Sequence, residues 1–129
     1  SEIDNLSIEN YDVLIIDSIG ILSSLYQYGN LAYIGGGFGV GIHNILEAAT
    51  FGLPIIFGPN YIKFKEAVDL VDKKGAFSIH DFNDLQTALS LQLNDKDKLK
   101  KASEISKKYV ENNVGSTILI IKKVFNRLN

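Results

Sequence analysis

His43, Asn44 and Glu47 follow a segment in which five of the seven residues from 35 to 41 are glycine. Glycine this dense costs backbone entropy on folding, so something must need the bare backbone. Asn44 and Glu47 are three residues apart and share one face of a first helical turn. An amide in that place can bond a phosphate or sugar oxygen. A carboxylate there can accept two hydrogen bonds from a ribose diol, each worth ~1.5–3 kcal/mol as a charge-assisted bond. The same spacing, N-x-x-E, also reads as a capping box, with Asn44 as N-cap and Glu47 reaching back to its N–H. Spacing alone leaves both readings open, but a capping box does not require five glycines upstream. His43 could donate to a phosphate or make only a local bond where the helix starts.

The elements that must hold these residues read as alternating strands and helices. Tyr11–Asp17 (YDVLIID) is a short apolar run that reads as a buried strand, and Ile19–Tyr28 fits a helix stopped by Gly29-Asn30. Leu31–Ile34 is a second strand running into the glycines. Asn44–Phe51 is a helix with Gly52 at its C′ position. Pro54–Phe57 is a third strand closed by Gly58-Pro59, Ile62–Lys73 a helix, and Gly75–Ile79 a fourth strand. Asp81 reads as the N-cap of a helix over Phe82–Leu91. Two further helices are predicted, a Lys-rich one over Asp95–Asn112 and an amphipathic one over Thr117–Leu128. Apolar strands alternating with helices imply an α/β fold, a Rossmann-like parallel sheet covered by helices on both faces. Ligands in such folds bind outside the C-terminal ends of the strands, where the glycine loop sits.

A glycine-rich approach to a helix N-terminus lets a phosphate reach free N–H groups. The dinucleotide fingerprint G-x-G-x-x-G is out of register, because its third glycine would fall at Val40, Ile42 or Asn44. No G-K-[ST] follows, which excludes a P-loop. Lys63 and Lys65 come after the Gly58-Pro59 strand end, on the binding side, and could meet a phosphate or carboxylate. His80 precedes Asp81 in a turn and has no assigned role. The lysines between 96 and 108 read as a solvated helix face, with an anionic membrane surface as the alternative.

At 129 residues the chain is long enough for one core. A net charge of −2 gives no bulk attraction to nucleic acid. The absence of cysteine excludes disulfides and thiolate metal sites, and two histidines are too few for most histidine clusters. No metal or cofactor is expected. The opening SEIDNLSIEN is polar and acidic, unlike a signal peptide.

In order, DSIG (17–20), YIGGGF (33–38), HNILEA (43–48), GLPIIFGPN (52–60) and KGAF (74–77) resemble the C-terminal domain of the 3-deoxy-D-manno-octulosonic acid (Kdo) transferases of lipopolysaccharide synthesis. The likeness runs over roughly residues 11 to 113. It implies the C-terminal, donor-binding half of a GT-B glycosyltransferase, which moves Kdo from CMP-Kdo to a lipid A precursor; the alternatives are the donor domain of another GT-B enzyme using a UDP-sugar and a non-catalytic α/β interaction domain in which Asn44 and Glu47 only cap the helix. It further implies that 1–129 is a single partial domain, without the N-terminal acceptor domain that carries the catalytic carboxylate and without the first two strands of the donor domain. Carried over by position, Glu47 holds the CMP ribose and Asn44 lies near the phosphate or the Kdo carboxylate. Ser18, Ile19 and Gly20 lie by the cytosine, and Gly35, Gly36 and Gly37 let the nucleotide approach. The family departs from this chain at Ile21, where it usually has a carboxylate, at Ile42 (glycine) and at Ala48 (proline). The resemblance places the enzyme on the cytoplasmic face of the bacterial inner membrane. It implies that the fragment alone is inactive. With two strands missing, the strand at 12–17 has unpaired edges, so rearranged strand pairing or a homodimer is expected.

Overall fold

The computed structural model describes residues 8–18 and 20–114. Ile19 and the helix expected over 117–128 lie outside the described residues. In chain order the elements are α1 (Leu22–Tyr26), β1 (Ala32–Ile34), α2 (Leu46–Thr50), β2 (Ile55–Phe57), α3 (Lys65–Lys73), β3 (Ala76–Ser78), α4 (Phe82–Leu93) and α5 (Lys96–Tyr109). A 3-10 turn at Ile8–Asn10 precedes them and a wider π-type turn at Val110–Val114 follows.

The three strands are parallel and lie in the order β1-β2-β3. Ala32 pairs with Ile55 and Ile55 with Ala76, so the register is level across the sheet. The central strand β2 buries Ile55, Ile56 and Phe57 completely, as expected where helices cover both faces of a parallel sheet. On β1, Ala32 and Ile34 are buried while Tyr33 is 50 % exposed. β1 is an edge strand.

The core joins Ile34, Ile45, Ala48, Phe57, Leu70 and Tyr109. Helix α5 is held to the strand-leading turns by two hydroxyls. Ser106 Oγ donates to the Gly75 carbonyl at 3.0 Å, and Ser103 Oγ donates to the Gly52 carbonyl. Its sequence carries its own start signal, since Asp95 Oδ1 accepts from the Asp97 and Lys98 amides at 3.0 and 3.2 Å. Asp81 does the same for α4, accepting from the Asp84 amide at 2.8 Å, while Asp84 reaches back to the His80 amide at 2.9 Å.

Tyr11–Asp17 is not a strand. Val13 is 75 % and Ile15 86 % exposed, and β1 pairs only with β2 among the described residues. Apolar sequence predisposes a segment to extend, but a strand exists only where a neighbour takes its backbone hydrogen bonds, and none does so here. The expected rearrangement of pairing is likewise not seen, because the three strands keep ordinary parallel order. The helix expected over Ile19–Tyr28 shrinks to the five residues of α1, and the helix expected from Asn44 starts at Leu46.

Candidate functional site

The glycine loop leaves β1 at Gly35 and is closed by its own backbone. The Gly39 and Gly41 amides donate to the Gly36 carbonyl at 3.0 and 3.2 Å, and the His43 amide donates to the Gly35 carbonyl at 3.0 Å. Asn60 clamps it from the end of β2. Its amide donates to the Gly37 carbonyl at 2.9 Å, and its side chain donates to the Gly39 carbonyl.

Two of the glycines are required by this packing. Gly36 has φ +90°, and a Cβ there would meet the Gly41 carbonyl oxygen at 2.3 Å and His43 Cδ2 at 2.8 Å. At Gly37 a Cβ would lie 2.5 Å from the Gly58 amide nitrogen, and one at Gly58 would lie 2.6 Å from the Gly37 carbonyl carbon. The ends of β1 and β2 therefore touch backbone to backbone. Gly35 is different. Its nearest neighbour across a Cβ would be His43 Cδ2 at 3.8 Å, so it has room, and it lines a cavity.

That cavity, about 560 Å³, runs along β1 to its C-terminal end and is lined there by Gly35, His43, Asn44 and Glu47. Its apolar wall comes from α1 and the turn after it, with Leu22, Leu25, Tyr26 and Leu31. Asn44 Oδ1 accepts from the Leu46 amide at 2.9 Å, an Asx turn that starts α2. The N-cap position itself is Ile45, with no side-chain bond. Glu47 is consequently the second helical residue rather than the third, one short of the capping-box position. Its carboxylate turns toward α1 instead, where Oε2 accepts from Ser23 Oγ at 3.1 Å. Of the two readings the spacing left open, the capping box does not form, and Glu47, exposed, lines the cavity and accepts from Ser23. Burial, and then the nearby Glu47 charge, push the Tyr26 hydroxyl above its ordinary pKa.

The structure thus brings Gly35, His43, Asn44 and Glu47 together. Lys63 lines a separate cavity of about 300 Å³ with Val40, Pro59, Asn60 and Ile62. Ser18 and Gly20 are exposed and do not line the Glu47 cavity, and Ile19 is outside the described residues. Sequence reasoning missed Ser23, Tyr26 and Asn60. Ser23 and Tyr26 do sit three apart on one helical face, but nothing in the sequence says that this face looks at Glu47. Among the described residues no group of three or more His, Cys, Asp or Glu side chains could hold a metal ion, and no helix is long and apolar enough to cross a membrane.

Three parallel strands joined by helices and a cavity at a strand's C-terminal end define a Rossmann-like α/β domain with the binding position of its class. No family model matches the chain. It is 37 % identical over 105 residues to the 3-deoxy-D-manno-octulosonic acid transferase of Aquifex aeolicus (strain VF5), covering 78 % of this chain and 30 % of that protein. It is also 37 % identical over 113 residues to the enzyme of the same name from Rickettsia prowazekii (strain Madrid E), covering 85 % of this chain and 24 % of that one. Its fold matches the crystal structure of the C-terminal CMP-Kdo binding domain of WaaA from Acinetobacter baumannii, with a TM-score of 0.65 at 24 % identity, over 75 % of this chain and 52 % of that one. The chain is thus similar to Kdo transferases over most of its own length, and it spans less than a third of the length of these two relatives.

Proposed function

We propose that this chain is the donor-binding part of a Kdo transferase of GT-B architecture, and that the cavity at the end of β1 takes the CMP portion of CMP-Kdo. The observation that carries this reading is the Glu47 carboxylate, released from any capping box and lining one cavity with Asn44, His43 and Gly35. Glu47 accepts the ribose hydroxyls. Asn44 and His43 face the phosphate or the Kdo carboxylate, and Gly35 gives the nucleotide access to backbone. Ser18, Ile19, Gly20 and Lys63 complete the donor contacts when the remaining part of the enzyme is present.

Transfer requires a general base for the acceptor hydroxyl and groups that stabilise the departing phosphate. This chain supplies the second. A partner domain supplies the base and the lipid A precursor, at the cytoplasmic face of the inner membrane in lipopolysaccharide biosynthesis. Purified 1–129 is therefore inactive alone, and turnover by it would contradict the division of labour. In the absence of the partner domain the exposed run at 11–16 drives formation of a homodimer.

Titration of isotope-labelled chain with CMP tests the site. The amides of Gly35, His43, Asn44 and Glu47 are expected to shift, and UMP is expected to shift them only at higher concentration. Shifts confined to other regions would overturn the assignment.

A further inference from the structure

His43 and Asn44 line two cavities. One is the cavity of about 560 Å³ that also holds Glu47. The other, about 320 Å³, lies where α2 and α3 begin, and Ile42, Phe64 and Glu66 are among its further walls. Two cavities that share a pair of polar side chains suit a ligand in two parts, joined at the group those side chains bind.

The smaller cavity is built into the glycine loop. Phe64 is the extended residue that precedes α3, and its ring lies against the loop, where a Cβ on Gly41 would meet Phe64 Cε2 at 3.1 Å. Ile42 is buried, and its amide donates to the Asn60 carbonyl at 3.3 Å. The His43 ring sits over Gly36, where a Cβ would meet its Cδ2 at 2.8 Å.

The polar groups of this cavity divide into donors and an acceptor. Asn44 Oδ1 is taken by the Leu46 amide at 2.9 Å, which leaves the side-chain NH₂ to donate. Glu66 is the acceptor, and it is half-buried. Among the described residues no cation lies within ion-pair distance of it and no donor bonds its carboxylate. Lys65, its neighbour in the chain, bonds Asp69 at 2.6 Å instead. A carboxylate in the first turn of a helix gains from the helix dipole. That accounts for its charge, but not for its place on a cavity wall shared with His43 and Asn44.

We propose that this cavity takes the sugar of the donor, a polyhydroxy acid, and that Glu66 is a specificity-determining residue for it. This rests on the donor-site reading, in which the nucleotide fills the Glu47 cavity. His43 and Asn44 then meet the anionic groups where nucleotide and sugar join. Glu66 accepts from the sugar hydroxyls, and Phe64 and Ile42 carry the carbon skeleton. A site built to accept from hydroxyls rejects an analogue that lacks them.

The test follows backbone amide shifts of the whole labelled chain with separate probes, Kdo and CMP. Kdo is expected to shift the Ile42, Phe64 and Glu66 amides, and CMP those of Gly35 and Glu47. Pyruvate, a 2-keto acid with no chain of hydroxyls, is expected to leave Phe64 and Glu66 unshifted. Glu66→Gln is expected to weaken Kdo binding by ~10-fold while CMP affinity and the urea midpoint stay nearly unchanged. A carboxylate that served only the start of α3 would lower the midpoint and leave the Kdo titration as it was, which would overturn the proposal. CMP shifts without Kdo shifts at Phe64 and Glu66, or pyruvate acting as strongly as Kdo, would overturn it too and leave the nucleotide assignment standing. Kdo shifts that weaken in Glu66→Gln, with no CMP shifts, would support the sugar site and overturn the nucleotide assignment. No shift with either probe would overturn both.

Discussion

At the scale of single residues, Glu47 separates two roles that share one spacing. N-x-x-E serves a capping box only when Asn is the N-cap and Glu the third helical residue. Here α2 starts one residue late, Asn44 makes an Asx turn to Leu46, and the carboxylate meets Ser23 instead. That Glu47 lies on a helix just after the glycine loop was legible in the sequence, but the late helix start was not, because ±1 boundaries depend on how Ile45 packs into the core. The glycines divide in the same way. Gly37→Ala is expected to destabilise the chain by ~1–3 kcal/mol, because its Cβ would strike the Gly58 backbone at 2.5 Å. Gly35→Ala has room and is expected to leave the urea midpoint nearly unchanged while weakening CMP binding. Equal midpoints for the two variants would show that the backbone contact between β1 and β2 does not constrain the loop.

At the scale of elements, the parallel strands and their helices were legible because β2 reads as an unbroken apolar run and Asp81 and Asp95 mark helix starts. That 11–17 forms no strand was not legible, since strand formation depends on a neighbour that a sequence pattern does not contain. The joint between α3 and α5 makes a separate prediction. Tyr109 OH donates to Asp69 Oδ2 at 2.8 Å, and Lys65 Nζ meets the same oxygen at 2.6 Å. Burial, then the bond to Asp69, push Tyr109 up to about 12. The Lys65 bond, then the Tyr109 bond, hold the Asp69 carboxyl below its usual range. A raised tyrosine contributes stability that is complete below its unfolded pKa, about 10, and is lost as pH rises through about 12. The lowered carboxyl works in the other direction, its contribution being complete above about 4 and lost as pH falls through the folded value. Urea denaturation should therefore show a midpoint that falls at alkaline pH, and the fall should be smaller in Tyr109→Phe. An identical alkaline fall in the variant would remove Tyr109 from the account.

At the scale of the whole molecule, β1 leaves one edge open and the run from Tyr11 to Ile16 lies exposed. An open strand edge and exposed apolar sequence each favour association. Sedimentation equilibrium is expected to show a concentration-dependent dimer that Ile15→Lys shifts toward monomer. A monomer at every concentration would contradict this. Lys98 and Lys101 read in the sequence as part of a solvated helix face over 96–108; that Lys73 and Lys74 line one cavity with them, at the β3 end of the sheet, emerges only when α5 packs beside the turn that follows α3.

The donor-site assignment is tested most directly by calorimetric titration of CMP and UMP into the chain and into Glu47→Gln. Removing one charge from a ribose-binding carboxylate is expected to weaken CMP by ~10- to 100-fold, with little change in the stability of either protein. CMP preferred over UMP in the wild type, and that affinity lost in Glu47→Gln, is the predicted result. UMP preferred, or CMP bound equally well by both proteins, would contradict it.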